Sequence, residues 1–251
     1  MSDQWRHPGR LGAVLYALAA ALLGGVVTVL GRLQVARQRG RRRVAGSLPP
    51  GGIIIISNHT SYADGVLLAL VCRRLGRSVR LLATAGVFRA PVIGGLVRRL
   101  GFIRVERSAA TAATAIEAAV AALAAGEAVG IFPEGRLTRH PDHWPERAKT
   151  GVVRLALRSG APIVPVAMVG AHRLMGRSGF VTRALVNVVV RPRVATAVGV
   201  PIDIAGWGVD PDDAAQVRAA TDRVMAALVE LVEQLRGQEA PPDAGLTRTD
   251  G

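Results

Sequence analysis

Cysteine is almost missing from this chain. Cys72 is the only one in 251 residues, which excludes an internal disulfide and a cysteine metal cluster and fits a reducing compartment. Its position after the apolar run Val66–Val71 gives it a packing role. Lysine is equally scarce. Lys149 stands alone, so the formal net charge of +14 is carried almost wholly by arginine. Arginine stays charged at any working pH and grips phosphate bidentately, so the imbalance points to an acidic partner: nucleic acid, an anionic membrane surface or a phosphorylated substrate. Only 4% of residues are aromatic, and no basic stretch is interleaved with them. A base-stacking surface needs that arrangement, and nucleic acid is not the expected partner. There is no G-x-S-x-G elbow, which removes the usual serine hydrolase. Half of the residues are hydrophobic, which excludes a disordered chain and leaves room for one domain with a sizeable core.

What the chain does contain begins with Leu11–Leu30, a stretch without a charge. That length spans a hydrocarbon core of roughly 30 Å as a helix. Arg6 and Arg10 precede it. Arg32, Arg37, Arg39, Arg41, Arg42 and Arg43 follow it, which puts the main domain on the cytoplasmic side of a cell membrane. A cleaved signal peptide would have a shorter apolar core and fewer arginines behind it. Gly24-Gly25 leaves open a re-entrant or interfacial helix in place of a clean span. The expected organisation is a basic N-terminus over 1–10, a membrane helix over 11–30, an Arg-rich linker over 31–52 resting on anionic headgroups, a catalytic-sized domain over 53–236 and a disordered tail over 237–251.

Within that domain the pattern predicts strands at Ile53–Ile56, Val79–Ala83, Phe102–Val105, Ala128–Phe132, Ile163–Val169 and Leu185–Arg191. Pro165 places its strand at an edge or bulge. Helices are predicted at Gly65–Leu75, over Val87–Leu100 with a break at Pro91, and at Thr111–Ala125, Lys149–Arg158 and Asp212–Arg236. Strands alternating with helices make one α/β domain.

The chemistry centres on Ile53–Asp64, IIIISNHTSYAD. A β-branched run ends at Ser57-Asn58 and is followed by His59. α/β sheets bind ligands at the C-terminal ends of their strands. Asp64, at the mouth of the next helix, can fold back on one imidazole nitrogen and leave the other as a base for a hydroxyl proton. These residues alone favour the plainer reading, a capped strand–helix turn with a merely polar histidine. Three further segments stand with it: Gly101–Arg107, where an arginine past a short strand can reach a phosphate or can be a solvated strand end; Phe132–Arg139, a Pro-Glu-Gly-Arg turn that brings backbone close to a ligand or is an ordinary turn; and Ile163–Ala167, an apolar V-P-V wall. His140, Asp142 and His143 lie in a proline-rich loop that reads as solvated in preference to metal-binding. His172 reads as structural, and Trp144 and Trp207 are candidates for an interface.

Taken together and in this order, the four segments resemble the lysophospholipid acyltransferase family, which includes bacterial 1-acylglycerol-3-phosphate acyltransferases. The N-H-x4-D motif stands as Asn58-His59 to Asp64, the second motif as Gly101 to Arg107, F-P-E-G and its basic run as Phe132 to Arg139, and the fourth as Ile163 to Ala167. The resemblance implies a single mixed sheet flanked by helices, and transfer of a fatty acyl group from a thioester to the sn-2 hydroxyl of a 1-acylglycerol-3-phosphate. His59 would be the general base and Asp64 its orienting carboxylate. Gly101, Arg107, Glu134, Gly135 and Arg136 would form the acceptor side, with Lys149 at a helix N-terminus adding to a phosphate site. The implied partners are a lysophospholipid, an anionic membrane, and an acyl-CoA or acyl carrier protein thioester as co-substrate, with no cofactor. Two departures concern the head-group side. Thr84 stands where many relatives have lysine, and Arg136 follows Gly135 immediately. A larger lysophospholipid or a glycolipid is therefore the alternative acceptor. A lipid or thioester hydrolase, or an arginine-rich membrane binder, would leave the phosphate-side arginine or the His59–Asp64 pair without a task.

Overall fold

The computed structural model describes residues 5–36, 48–106, 109–176, 180–241 and 244–245. In chain order the elements are α1 (Gly9–Leu30), β1 (Arg32–Ala36), β2 (Ile53–Ser57), α2 (Asp64–Arg74), β3 (Val79–Thr84), α3 (Ala85–Arg89), α4 (Ile93–Arg99), β4 (Ile103–Val105), α5 (Ala109–Ala124), β5 (Ala128–Ile131), α6 (Gly151–Ser159), β6 (Ile163–Val169), α7 (Ala171–Leu174), α8 (Phe180–Val190), β7 (Arg193–Val198) and α9 (Ala214–Arg236). The strands make one seven-stranded sheet in the order β1-β7-β6-β2-β5-β3-β4. Neighbours are parallel except β6 and β7.

The four isoleucines of β2 lie at the middle of this sheet and are fully buried. A strand covered on both faces reads as a continuous apolar run, because alternate side chains enter two different cores. Ile54 and Ile56 pack with Ala119, Leu155, Val224 and Leu228 from α5, α6 and α9. Ile53 and Ile55 pack with Leu67, Leu68 and Val71 of α2 on the other face. The long α9 is started by Asp213, whose side chain accepts from the Ala215 and Gln216 N–H groups, and is stopped by Gly237 in the left-handed region, the standard chemistry of the two helix ends.

The structure departs from the sequence reading in several places. The expected linker contains β1, which pairs in parallel with β7. The arginines from Arg37 to Arg43 lie outside the described residues. Leu185–Arg191, expected as a strand, is helical up to Val190, the last residue of α8. Pro165 is not at a sheet edge, since β6 lies between β7 and β2. It marks a bulge: Val166 faces Val198 while Ile163 faces Ile202, so the β7 side carries one extra residue. Gly199 sits there because a Cβ would meet the Pro165 ring at 2.7 Å. The first residues of the expected tail are held in place, with the Ala240 N–H on Glu233 and the Gly245 N–H on the Pro145 carbonyl. Trp144 is in the core and not at an interface, with the Arg236 guanidinium 4.2 Å from its ring centre.

Candidate active site

Strands β2, β3, β4, β5 and β6 run the same way, so their C-terminal ends share one edge. His59 leaves β2 at that edge. Asn58 first fixes the strand end: its side-chain amide donates to the Met168 carbonyl and accepts from the Met168 N–H, both at 2.8 Å. The chain then turns into α2, whose first residue is Asp64. One carboxylate oxygen, Oδ2, accepts from the Thr60 N–H at 2.6 Å, the Ser61 N–H at 2.7 Å and His59 Nδ1 at 3.0 Å. The helix N-terminus favours the negative charge. An imidazole donating through Nδ1 keeps Nε2 as its free lone pair. Asp64 is fully buried while the His59 side chain is 21% exposed, so the pair has a buried anchor and a solvent-facing reactive end. Burial raises the Asp64 carboxyl above the ordinary carboxylate range, against the pull of His59, Ser61 and Thr60. Its other oxygen, Oδ1, has no hydrogen-bond partner among the described residues.

The loop after β5 closes on the same histidine. Phe132 stacks on the imidazole with ring centres 4.2 Å apart. The His59 N–H donates to Glu134 Oε1 at 2.9 Å, and the Thr138 N–H donates to the His59 carbonyl at 2.7 Å. Glu134 is buried, and its second oxygen accepts from the Glu146 N–H at 3.0 Å. Burial pushes the Glu134 carboxyl up to about 8, opposed by these two amides and reinforced by the Glu146 and Asp64 charges. Glu146 in turn binds Arg136 Nη2 at 3.2 Å and the Arg139 N–H at 3.0 Å. Two loops distant in sequence thus form one rigid frame around an imidazole.

The chain matches the family model described as Acyltransferase over residues 39–169. It belongs to the acyltransferase family. A chloroplastic 1-acyl-sn-glycerol-3-phosphate acyltransferase of Brassica napus is 28% identical over 55% of this chain and 39% of its own length. An uncharacterized protein of Mycobacterium leprae is 33% identical over 49% of this chain and 34% of that protein. A 1-acyl-sn-glycerol-3-phosphate acyltransferase of Borreliella burgdorferi is 29% identical over 46% of this chain and 45% of that one. These matches span less than half of each relative. The crystal structure of the 1-acyl-sn-glycerophosphate acyltransferase PlsC from Thermotoga maritima superposes with a TM-score of 0.65 over 96% of this chain and 87% of that chain, at 17% identity. The fold is therefore that of an acyltransferase with one N-terminal apolar helix.

The remaining candidates of this acyltransferase domain are distributed unevenly. Gly135, at φ +70°, turns the loop, and an added Cβ would meet Lys149 Cε at 3.1 Å. The only lysine therefore lies across the Pro-Glu-Gly turn, and its own N–H donates to the Pro133 carbonyl at 2.9 Å. Gly101 is elsewhere. It precedes β4, at the opposite end of the strands from His59, in contact with Pro8 and Arg80, and its carbonyl accepts from Trp5. It is a packing glycine and not part of the acceptor side. Arg107 lies outside the described residues. Glu134 accepts from the His59 and Glu146 N–H groups, so it shapes the site through the backbone it holds. Thr84 ends β3 and directly precedes α3, makes no side-chain cap hydrogen bond there, and is exposed. His140 Nδ1 accepts from the Asp142 N–H, while His143 stacks on His172 at 4.1 Å. Burial and the surrounding cations lower His172 to about 4, consistent with a structural part.

Sequence reasoning passed over Glu146, because Pro145-Glu146 matches no motif and its partners are ten and seven residues back. Asn58 and Phe132 were inside motifs, but their contacts are non-local.

Proposed function

We propose that this chain transfers a fatty acyl group from a thioester to the free hydroxyl of a lysophospholipid, with 1-acylglycerol-3-phosphate as the first-choice acceptor and phosphatidate as product. The observation that carries this reading is His59 held by Asp64 at 3.0 Å inside a frame closed by the loop after β5. In this mechanism His59 Nε2 takes the hydroxyl proton as the oxygen attacks the thioester carbonyl. The tetrahedral intermediate collapses with loss of the C–S bond, and the same proton goes to the leaving thiolate. No acyl-enzyme forms. Asp64 fixes the ring and stabilises the imidazolium. Phe132 holds the ring plane. Arg107, Arg136 and Lys149 are assigned to the acceptor's phosphate, and a backbone N–H of the surrounding turns to the oxyanion. The names of the Brassica and Borreliella relatives support the lysophosphatidate assignment.

We further infer that α1 seats the domain on the cytoplasmic face of a membrane and lies along it. It carries no charge after Arg10, and only Gly12 and Tyr16 of its 22 residues are buried. Yet it is pinned to the domain along its length: Gly12 packs on the Arg99 carbonyl, the Tyr16 hydroxyl accepts from the Val79 N–H at 3.1 Å, Gly24 meets Leu70, and Arg191 donates to the Thr28 carbonyl at 2.6 Å. A helix bound to a polar domain at both ends supports an in-plane seat over a crossing.

The deciding experiment supplies lysophosphatidate and an acyl thioester to purified protein in mixed micelles. Turnover should yield phosphatidate and free thiol in equal amounts, and His59→Ala should abolish it while the protein keeps its melting temperature. Free acid released at the same rate without acceptor would reject the transfer reading, and full activity of His59→Ala would reject the base.

A further inference from the structure

Helix α8 is inside out. Among its described side chains the buried one is polar: Asn187 is 5% exposed and donates to the Arg173 and Leu174 carbonyls, each at 3.1 Å. The large apolar residues around it face outward, with Leu185, Val186, Val188, Val189 and Val190 all exposed and Val189 at 84%. A helix in water turns its apolar stripe inward. Valine also has poor helix propensity, and the same residues read as a strand by pattern. Over its last turns, from Leu185 to Val190, an amide turned to the protein and aliphatic side chains turned away are the arrangement that hydrocarbon imposes.

Two observations identify what covers this face. First, α8 packs beside α1, and Arg191 at its end donates to the Thr28 carbonyl of that helix. The exposed Leu22, Val26 and Val29 of α1 extend the same kind of surface. Second, the two helices end together in cations. Arg32 follows α1 and Arg193 follows α8, and they are register partners in neighbouring strands, both exposed. Like charges placed opposite each other repel, and an anion between them removes the repulsion. Neither Gly9–Ala36 nor Phe180–Val198 contains an aspartate or glutamate.

We propose that α8 is a second lipid-embedded helix, lying beside α1 in one leaflet of an anionic membrane, with Arg32, Arg191 and Arg193 at the level of the lipid phosphates. The site therefore has a two-helix seat built from segments far apart in the chain. This rests on the in-plane seating of α1 and not on the acyl-transfer chemistry.

The test uses the full chain with Val189→Cys carrying an environment-sensitive fluorophore, Cys72 being fully buried. Added vesicles of phosphatidylcholine and phosphatidylglycerol should shift the emission to the blue. A quencher dissolved in the bilayer should then quench it, and aqueous iodide should not. Arg32→Ser with Arg193→Ser should weaken binding to these vesicles about thirtyfold, at roughly one lipid-surface charge contribution each, and Arg32→Lys with Arg193→Lys should restore it. His59→Ala should bind like the parent, which keeps loss of chemistry separate from loss of docking. A probe still reached by iodide on vesicle-bound protein overturns the proposal. So does a blue shift without lipid that follows a doubling of mass in light scattering, since the face would then belong to a second copy. So does vesicle binding that the serine pair leaves unchanged.

Discussion

Asp64→Asn separates catalytic positioning from structural support. Asp64 Oδ2 accepts three donors at 3.0, 2.6 and 2.7 Å, two of them backbone amides. An asparagine oxygen still accepts from Thr60 and Ser61. It loses charge assistance of about 1 kcal/mol per bond, but it also removes the desolvation that raises the Asp64 carboxyl. Net stability should change by less than about 2 kcal/mol. The imidazole fares differently. The same oxygen also faces Nδ1, so the ring keeps its tautomer, with the NH2 in the Oδ1 place, but no charge remains to stabilise the imidazolium. Removing an opposite charge at this distance withdraws about two pKa units of imidazolium stabilisation, which lowers kcat by about 10²-fold, equivalent to roughly 2.7 kcal/mol of barrier. The assay is phosphatidate formation under saturating acceptor, paired with a thermal melt of the same preparation. An Asp64→Asn protein that melts normally and keeps kcat within about tenfold of the parent would refute the base mechanism.

Glu134 sets a pH dependence. Its folded value of about 8 lies above an unfolded carboxylate near 4.3, so its contribution to stability is full below that lower value and is lost as pH rises towards the higher one. Glu134→Gln, which turns an NH2 at one backbone N–H, should be less stable than the parent at pH 5 by about 1–3 kcal/mol. The gap should close towards pH 8, and melting curves across that range would show a constant gap if the carboxyl does not titrate there. Gly135→Ala combines a left-handed φ of +70° with a 3.1 Å approach to Lys149 Cε. It should lose about 1–2 kcal/mol and raise acceptor KM more than it lowers kcat, as steady-state kinetics would report. Leu228→Ala empties a fully buried position between α9 and the sheet. It should cost about 2–5 kcal/mol in denaturant melts with kcat per folded molecule unchanged.

Most local features were legible in the sequence because local chemistry determines them. The run of isoleucines reads as a short buried strand from its β-branched residues alone. Asp213 and Gly237 bracket α9 through their own backbone preferences. The five-residue spacing of His59 and Asp64 spans one strand–helix turn, so their meeting needed no distant partner. Glu134 was visible as a motif residue, but its two backbone partners, one of them seventy-five residues back, were not.

By itself the sequence determined the strands β2 to β6, the helices α2, α5, α6 and α9, the His59–Asp64 pairing and the presence of an apolar helix among arginines. Only the tertiary structure decided that Arg32–Ala36 joins the sheet beside β7, that Gly101 serves packing, and that Glu146 braces the site. It also decided that the valines of α8 form a helix turned outward around Asn187. The reason is the same in each case. A residue's own conformational preference acts over one turn, whereas strand partners, burial and the medium opposite a face are set by segments that the chain brings together only on folding.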